Sequence, residues 1–176
     1  MQIKNKKSSS PIRIVRGDIT IMEVDAVVNA ANSQLKGGGG VDGAIHRAAG
    51  PGVMEECRGI GKCPTGKAVV TNAGSLKAKK IIHAVGPVWR GGNANEETLL
   101  RSAYETSFEA AVRLGLKTIA FPAIGTGVYG YPKEAAARIA LAAGNKYAPH
   151  FDRIYFVCFS DPDVAVYESL LNQADG

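Results

Sequence analysis

The chain has 176 residues and a mass of 18.5 kDa, with 45% hydrophobic and 21% charged residues, which suits one soluble globular domain with room for a proper core. Its formal net charge of +5 arises at the start: Lys4, Lys6, Lys7, Arg13 and Arg16 precede the first acidic residue, Asp18, and the other 16 basic side chains equal the 16 acidic ones. A neutral body with only 7% aromatic residues argues against a nucleic-acid surface, and no apolar run approaches membrane-spanning length.

Residues 1–10, ending in Ser8-Ser9-Ser10, read as a flexible basic leader to a single domain over 11–176, without the apolar stretch of a secretion signal. Ile12–Val15 and the segment around Ile19–Met22 are expected to be opening strands, and the β-branched run Val24–Asn29 a buried one. Helices are expected over Val41–Ala49 and, in a shorter piece, Val53–Cys57. Strands follow at Lys67–Thr71 and Lys80–Val85, then a polar loop at Arg90–Asn95. Glu96–Leu114 carries an apolar stripe of Leu100, Tyr104, Phe108, Ala111 and Leu114, stopped by Gly115. Thr118–Phe121 and Arg153–Phe159 read as strands, Pro132–Lys146 and Asp163–Leu171 as helices. This alternation predicts an α/β three-layer domain, whose ligands bind beyond the carboxyl ends of the strands. Cys57, Cys63 and Cys158 show no Cys/His ligand spacing and read as free thiols of a cytoplasmic protein; no metal and no cofactor is expected.

Two loops are rich in glycine. Gly37-Gly38-Gly39-Gly40 runs into Val41 and Asp42 at a helix start, and Gly125-Thr126-Gly127-Val128-Tyr129-Gly130 precedes the helix opened by Pro132. Four ordered glycines are entropically costly, and such stretches turn several backbone N–H groups toward an anion. Neither loop is a P-loop. The spacing of Gly125, Gly127 and Gly130 matches GxGxxG, but it follows a late strand rather than the first. Two such loops at one crevice suit a diphosphate held from both sides.

On these residues the chain resembles the macrodomain family, in particular its ADP-ribosyl hydrolases of the MacroD type. The resemblance spans Pro11 to Leu171: Gly17-Asp18-Ile19-Thr20, the block Asn29–Gly50, His83–Pro87 and Pro122–Gly130. It implies a mixed, mostly parallel sheet of about six strands between helices, with ADP-ribose in a cleft at the sheet's crest. It further implies that Asp18, with Ile19 beside it, accepts the adenine amino group. Asn32 and Asp42 match a catalytic pair at the distal ribose, Gly125–Tyr129 match a phosphate loop, and Phe159 stands where an aromatic packs by adenine. The implied ligands and substrates are ADP-ribose, O-acetyl-ADP-ribose and proteins mono-ADP-ribosylated on acidic side chains, with hydrolysis independent of metal. Nothing here matches the Cys/His insertion of the family's zinc-dependent branch.

Each residue also has a plainer reading. Asp18 suits a turn cap, Asn32 a turn former and Asp42 an N-cap, while Phe159 suits a core aromatic. His46 and His83 read as structural histidines. Two functions stay open at this level, a hydrolase and a non-catalytic ADP-ribose reader, as does the choice between Asp42 and a substrate phosphate as the group that activates water. A carboxylate beside an anionic ligand favours the hydrolase.

Overall fold

The computed structural model describes residues 10–175, so most of the expected leader lies outside the described residues. Six strands form one sheet: β1 (Ile12–Arg16), β2 (Ala26–Ala30), β3 (Ala68–Asn72), β4 (Lys80–Ala84), β5 (Thr118–Phe121) and β6 (Arg153–Cys158), in the spatial order β1-β6-β5-β2-β4-β3. All neighbours are parallel except β3, which runs antiparallel to β4. The expected mixed, mostly parallel sheet is therefore what forms. The helices are α1 (Gly40–Ala49), α2 (Pro51–Ile60), α3 (Glu96–Arg113), α4 (Lys133–Tyr147) and α5 (Asp161–Asp175).

Strand side chains alternate between the two faces, and each face builds its own core. On one, Val28, Ile82, Ile119 and Phe121 pack against α3, α4 and α5. Phe121 there lies 4.7 Å from Phe108 and 5.7 Å from Phe156, centroid to centroid. Each such fully buried aromatic stabilises the fold by roughly 1.5–3 kcal/mol. On the other face, Val27, Ile81 and Val85 pack against Ile45 of α1 and Val53 and Cys57 of α2. All three cysteines are free and buried. Among the described residues no helix is long and apolar enough to cross a membrane.

Four expectations change, the simplest being the last helix, which runs Asp161–Asp175 rather than Asp163–Leu171. The segment around Ile19–Met22 is not a strand but a 3-10 turn over Ile19–Ile21, because the Asp18 carboxylate accepts the Thr20 N–H at 2.9 Å and the Thr20 hydroxyl at 2.7 Å. The second helix is longer than Val53–Cys57, running from Pro51 until Gly61 turns the chain at φ +94°. Leu114 leaves the apolar stripe of α3: it caps the helix beyond the last turn and is 46% exposed.

Candidate active site

The carboxyl ends of β2, β4, β5 and β6 open into one cleft of about 420 Å³, with Asn32, Gly38–Asp42, Gly125–Tyr129 and Phe159 in its lining. Those residues are brought together as the sequence suggested. Three others are not: Asp18, Ile19 and Gly37 lie outside the lining. Ile19 is a buried core residue, and Gly37 serves the loop, its carbonyl accepting the Asn32 Nδ2–H at 3.0 Å. Asp18 is exposed next to the cleft's rim, since the Gly17 N–H donates to the carbonyl of Cys158, a lining residue. Its two hydrogen bonds from Thr20, the hydroxyl first, hold its carboxyl below the usual range.

The first glycine loop is bent back onto α1. Asn32 organises it, accepting the Lys36 N–H at 3.2 Å while donating to Gly37, and Leu35 plugs it into the core despite a φ of +56°. Gly43 must be glycine here, because a Cβ would stand 2.5 Å from the carbonyl oxygen of Gly38. The N-cap of α1 is Gly39, not Asp42. The Gly43 N–H makes the first helical bond, to Gly39, so the amides of Gly40, Val41 and Asp42 precede the hydrogen-bonded ladder.

The second loop offers a similar face. Its bonds run from Gly130 N–H to Gly127 and from Tyr131 N–H to Gly125. No acceptor among the described residues takes the N–H groups of Thr126, Gly127, Val128 or Tyr129. Pro132 is the N-cap of α4 rather than its first residue. The Tyr104 hydroxyl, fully buried, accepts the Ile124 N–H beneath this loop, and the Trp89 N–H ties down the Tyr129 carbonyl at 2.8 Å. Trp89 in turn sits on a segment closed by Glu96. Burial alone would raise that carboxyl, but N–H donors from Arg90, Gly92 and Ala94 outweigh it and hold it at about 2. Phe159 is 70% exposed on the rim, which removes its reading as a core aromatic.

Asp42 is only 6% exposed. Its Oδ1 accepts the Asn29 Nδ2–H at 2.8 Å and lies 3.4 Å from His46 Nε2. Its Oδ2 faces Gly38, where a Cβ would lie 3.5 Å from that oxygen and 3.9 Å from Asn32 Nδ2. One carboxylate oxygen is thus anchored in the protein, and the other lies on the side of Gly38, which lines the cleft together with Asn32 and Asp42. Behind Asp42, Asn29 lies 3.1 Å from His83 Nδ1, and Thr71 Oγ1 lies 2.9 Å from His83 Nε2. Sequence reasoning passed over Asn29 and Thr71, whose only signal is polarity at buried strand positions. It read the histidines as structural, and His83 is fully buried within hydrogen bonds. His46, Cys57 and His83 do approach within 4.8 Å of one another, but both His83 ring nitrogens are already hydrogen-bonded.

Burial, with His46 adding to it, lowers the His83 imidazole to about 4. An unfolded histidine titrates near 6.5, so below that pH the unfolded chain takes up a proton that the folded one refuses until about pH 4. Stability is therefore expected to fall on acidification from pH 6.5 to 4, by roughly 3 kcal/mol for this one group. Urea unfolding across that range checks it, with His83→Gln expected to flatten the dependence. An equally steep profile in that variant would assign the acid loss elsewhere.

The Macro domain family model matches residues 28–140, which includes both glycine loops and the Asn29–Asp42 contact. The chain belongs to the Macro domain family. An O-acetyl-ADP-ribose deacetylase of Cronobacter sakazakii is 51% identical over 95% of this macrodomain and 97% of its own length. One of Citrobacter rodentium is 52% identical over 94% and 97%. The structure of the Oceanobacillus iheyensis macrodomain with ADP is 38% identical, with a TM-score of 0.89 over 95% of this macrodomain and 93% of that chain. The Trypanosoma brucei macrodomain in complex with ADP-ribose is 40% identical, with a TM-score of 0.86 over 92% and 69%.

Proposed function

We propose that this macrodomain is a metal-independent hydrolase that binds ADP-ribose, deacetylates O-acetyl-ADP-ribose and removes mono-ADP-ribose from acidic side chains of proteins. The observation that carries the reading is Asp42. A pocket that merely held a diphosphate would gain nothing from this carboxylate in its lining, because it would repel the ligand. Curated relatives at about half identity over nearly the whole chain, named O-acetyl-ADP-ribose deacetylases, support the same class.

In this reading the diphosphate lies between the free amides at the start of α1 and those of Thr126–Tyr129. Asp42 Oδ2 takes a proton from, or orients, a water that attacks the acetyl carbonyl. The ester bond breaks, acetate leaves, and the ribose oxygen departs as a hydroxyl. For a carboxylate-linked protein the same water attacks the anomeric carbon and frees the acidic side chain. Asn32 fixes a ribose hydroxyl without adding charge.

The test is to incubate the purified chain separately with O-acetyl-ADP-ribose and with an auto-mono-ADP-ribosylated protein. Acetate from the first and free ADP-ribose from the second are expected. Tight ADP-ribose binding with neither product would make the chain a reader.

Adenine recognition by Asp18 belongs to the same proposal. Asp18→Ala is expected to weaken ADP-ribose binding by about 1.5–3 kcal/mol, the range for a hydrogen bond to a charged group. Ribose 5-phosphate, which lacks adenine, should be hardly affected in the same calorimeter. Equal losses for both ligands would leave Asp18 only its cap on the Ile19–Ile21 turn.

A further inference from the structure

We infer that His83 is a positioning residue which, through the carboxamide of Asn29, fixes the orientation of the Asp42 carboxylate, one oxygen held in the protein and the other on the side of Gly38. The inference rests on the reading of Asp42 as the hydrolytic carboxylate. Thr71, His83, Asn29 and Asp42 form a line of hydrogen bonds whose direction is set at one end.

That end is a backbone carbonyl, which can only accept. The Thr71 hydroxyl donates to the Asn72 carbonyl at 2.9 Å, so its single proton is engaged there. Toward His83 Nε2, 2.9 Å away, the Thr71 oxygen can then only accept. His83 therefore carries its proton on Nε2 and presents a lone pair at Nδ1. Asn29 must turn its NH2, not its carbonyl, toward that lone pair at 3.1 Å. The second hydrogen of the same NH2 goes to Asp42 Oδ1 at 2.8 Å. Reversed, the Asn29 carbonyl would face a carboxylate oxygen and repel it.

The fold places these groups in line. Asn29 and His83 are direct partners in the parallel β2–β4 pairing, on the sheet face that α1 and α2 cover. Thr71 comes from β3, and both Asn29 and His83 are fully buried, so water does not compete for these bonds. The other titratable groups around Asp42 are His46 on its own helix and Cys57 from α2. His46 reaches the same Oδ1, and the Cys57 thiol is pushed up by burial and by Asp42 itself. Neither contacts Oδ2 among the described residues. The low titration point of His83 keeps its ring neutral across the working pH range, which preserves the acceptor.

The experiment compares wild type, His83→Leu, His83→Asn and Thr71→Val. 15N spectra of the wild-type ring should show a neutral Nε2–H tautomer from pH 5 to 8. His83→Leu removes the acceptor and should lower kcat on O-acetyl-ADP-ribose at least tenfold, inside the hundredfold that a 1 Å misplacement costs. KM and ADP-ribose affinity should stay within about twofold, because the amides that hold the diphosphate are untouched. His83→Asn keeps an acceptor near the Nδ1 position and should restore most of kcat. Thr71→Val, the mildest change, frees the other tautomer and should give a smaller kcat loss if His83→Leu does not fold. A wild-type Nδ1–H tautomer, an unchanged kcat in His83→Leu, or equal losses of kcat and affinity would overturn the inference. If wild type itself releases no acetate, the proposed function fails and the ring tautomer alone decides this one.

Discussion

Asp42→Ala is expected to lower turnover of O-acetyl-ADP-ribose by roughly a hundredfold or more, the scale of a lost acid–base or orienting group. The variant removes the carboxylate whose Oδ2 lies on the side of Gly38, in a lining shared with Asn32. ADP-ribose should bind at least as well as before, since a negative charge beside the diphosphate has gone. Asn32→Ala should slow turnover comparably, and the double variant should be little worse than either single one if both groups position one water. Asn32 also ties the glycine loop through Lys36 and Gly37, so part of its loss is expected as weaker binding. Initial rates and calorimetry on the three variants separate the two effects. Turnover undiminished in Asp42→Ala would transfer activation of the water to a substrate phosphate.

Gly127→Glu is expected to abolish ADP-ribose binding while leaving the fold intact. A Cβ at Gly127 meets no atom within 4 Å, and the residue is exposed in the cleft lining, so the protein itself has room for a side chain. That room is where the diphosphate is proposed to lie. Glutamate would fill it and set a carboxylate against two phosphates. The informative result is a split one: an unfolding midpoint near wild type together with no measurable heat of binding. Unchanged affinity would show that the second loop is not the phosphate cradle.

Much of this architecture is legible in the residues because its causes are local. The β-branched run before Asn29, the stripe of Leu100, Tyr104, Phe108 and Ala111, and the stop at Gly115 each act within a few residues. The glycine loops are legible for the same reason: only a backbone that must present amides or approach closely needs such composition. The misreadings lie where a side chain competes with the local pattern. Ile19–Met22 alternates like a strand, yet Asp18 captures the Thr20 amide and winds it into a turn. The plainer alternative for Asp42, an N-cap, is also set aside: Gly39 caps the helix and Asp42 bonds to a strand beneath it.

Read alone, the amino acids determine the alternating α/β order and the two glycine-rich loops, and the resemblance they carry points to the family. What the tertiary structure decides is how Asp42 is held. Asn29 and His83 are 54 residues apart and meet only because β2 and β4 pair in parallel in one register; a slip of either strand by one residue would turn its side chain to the opposite face and part the two. The line of hydrogen bonds from Thr71 to Asp42 is likewise a property of the assembled sheet, since β3, β4, β2 and α1 each contribute one of its four side chains. Local composition sets what a loop can offer, whereas the orientation of a buried polar group depends on partners that strand register and helix packing bring from across the chain.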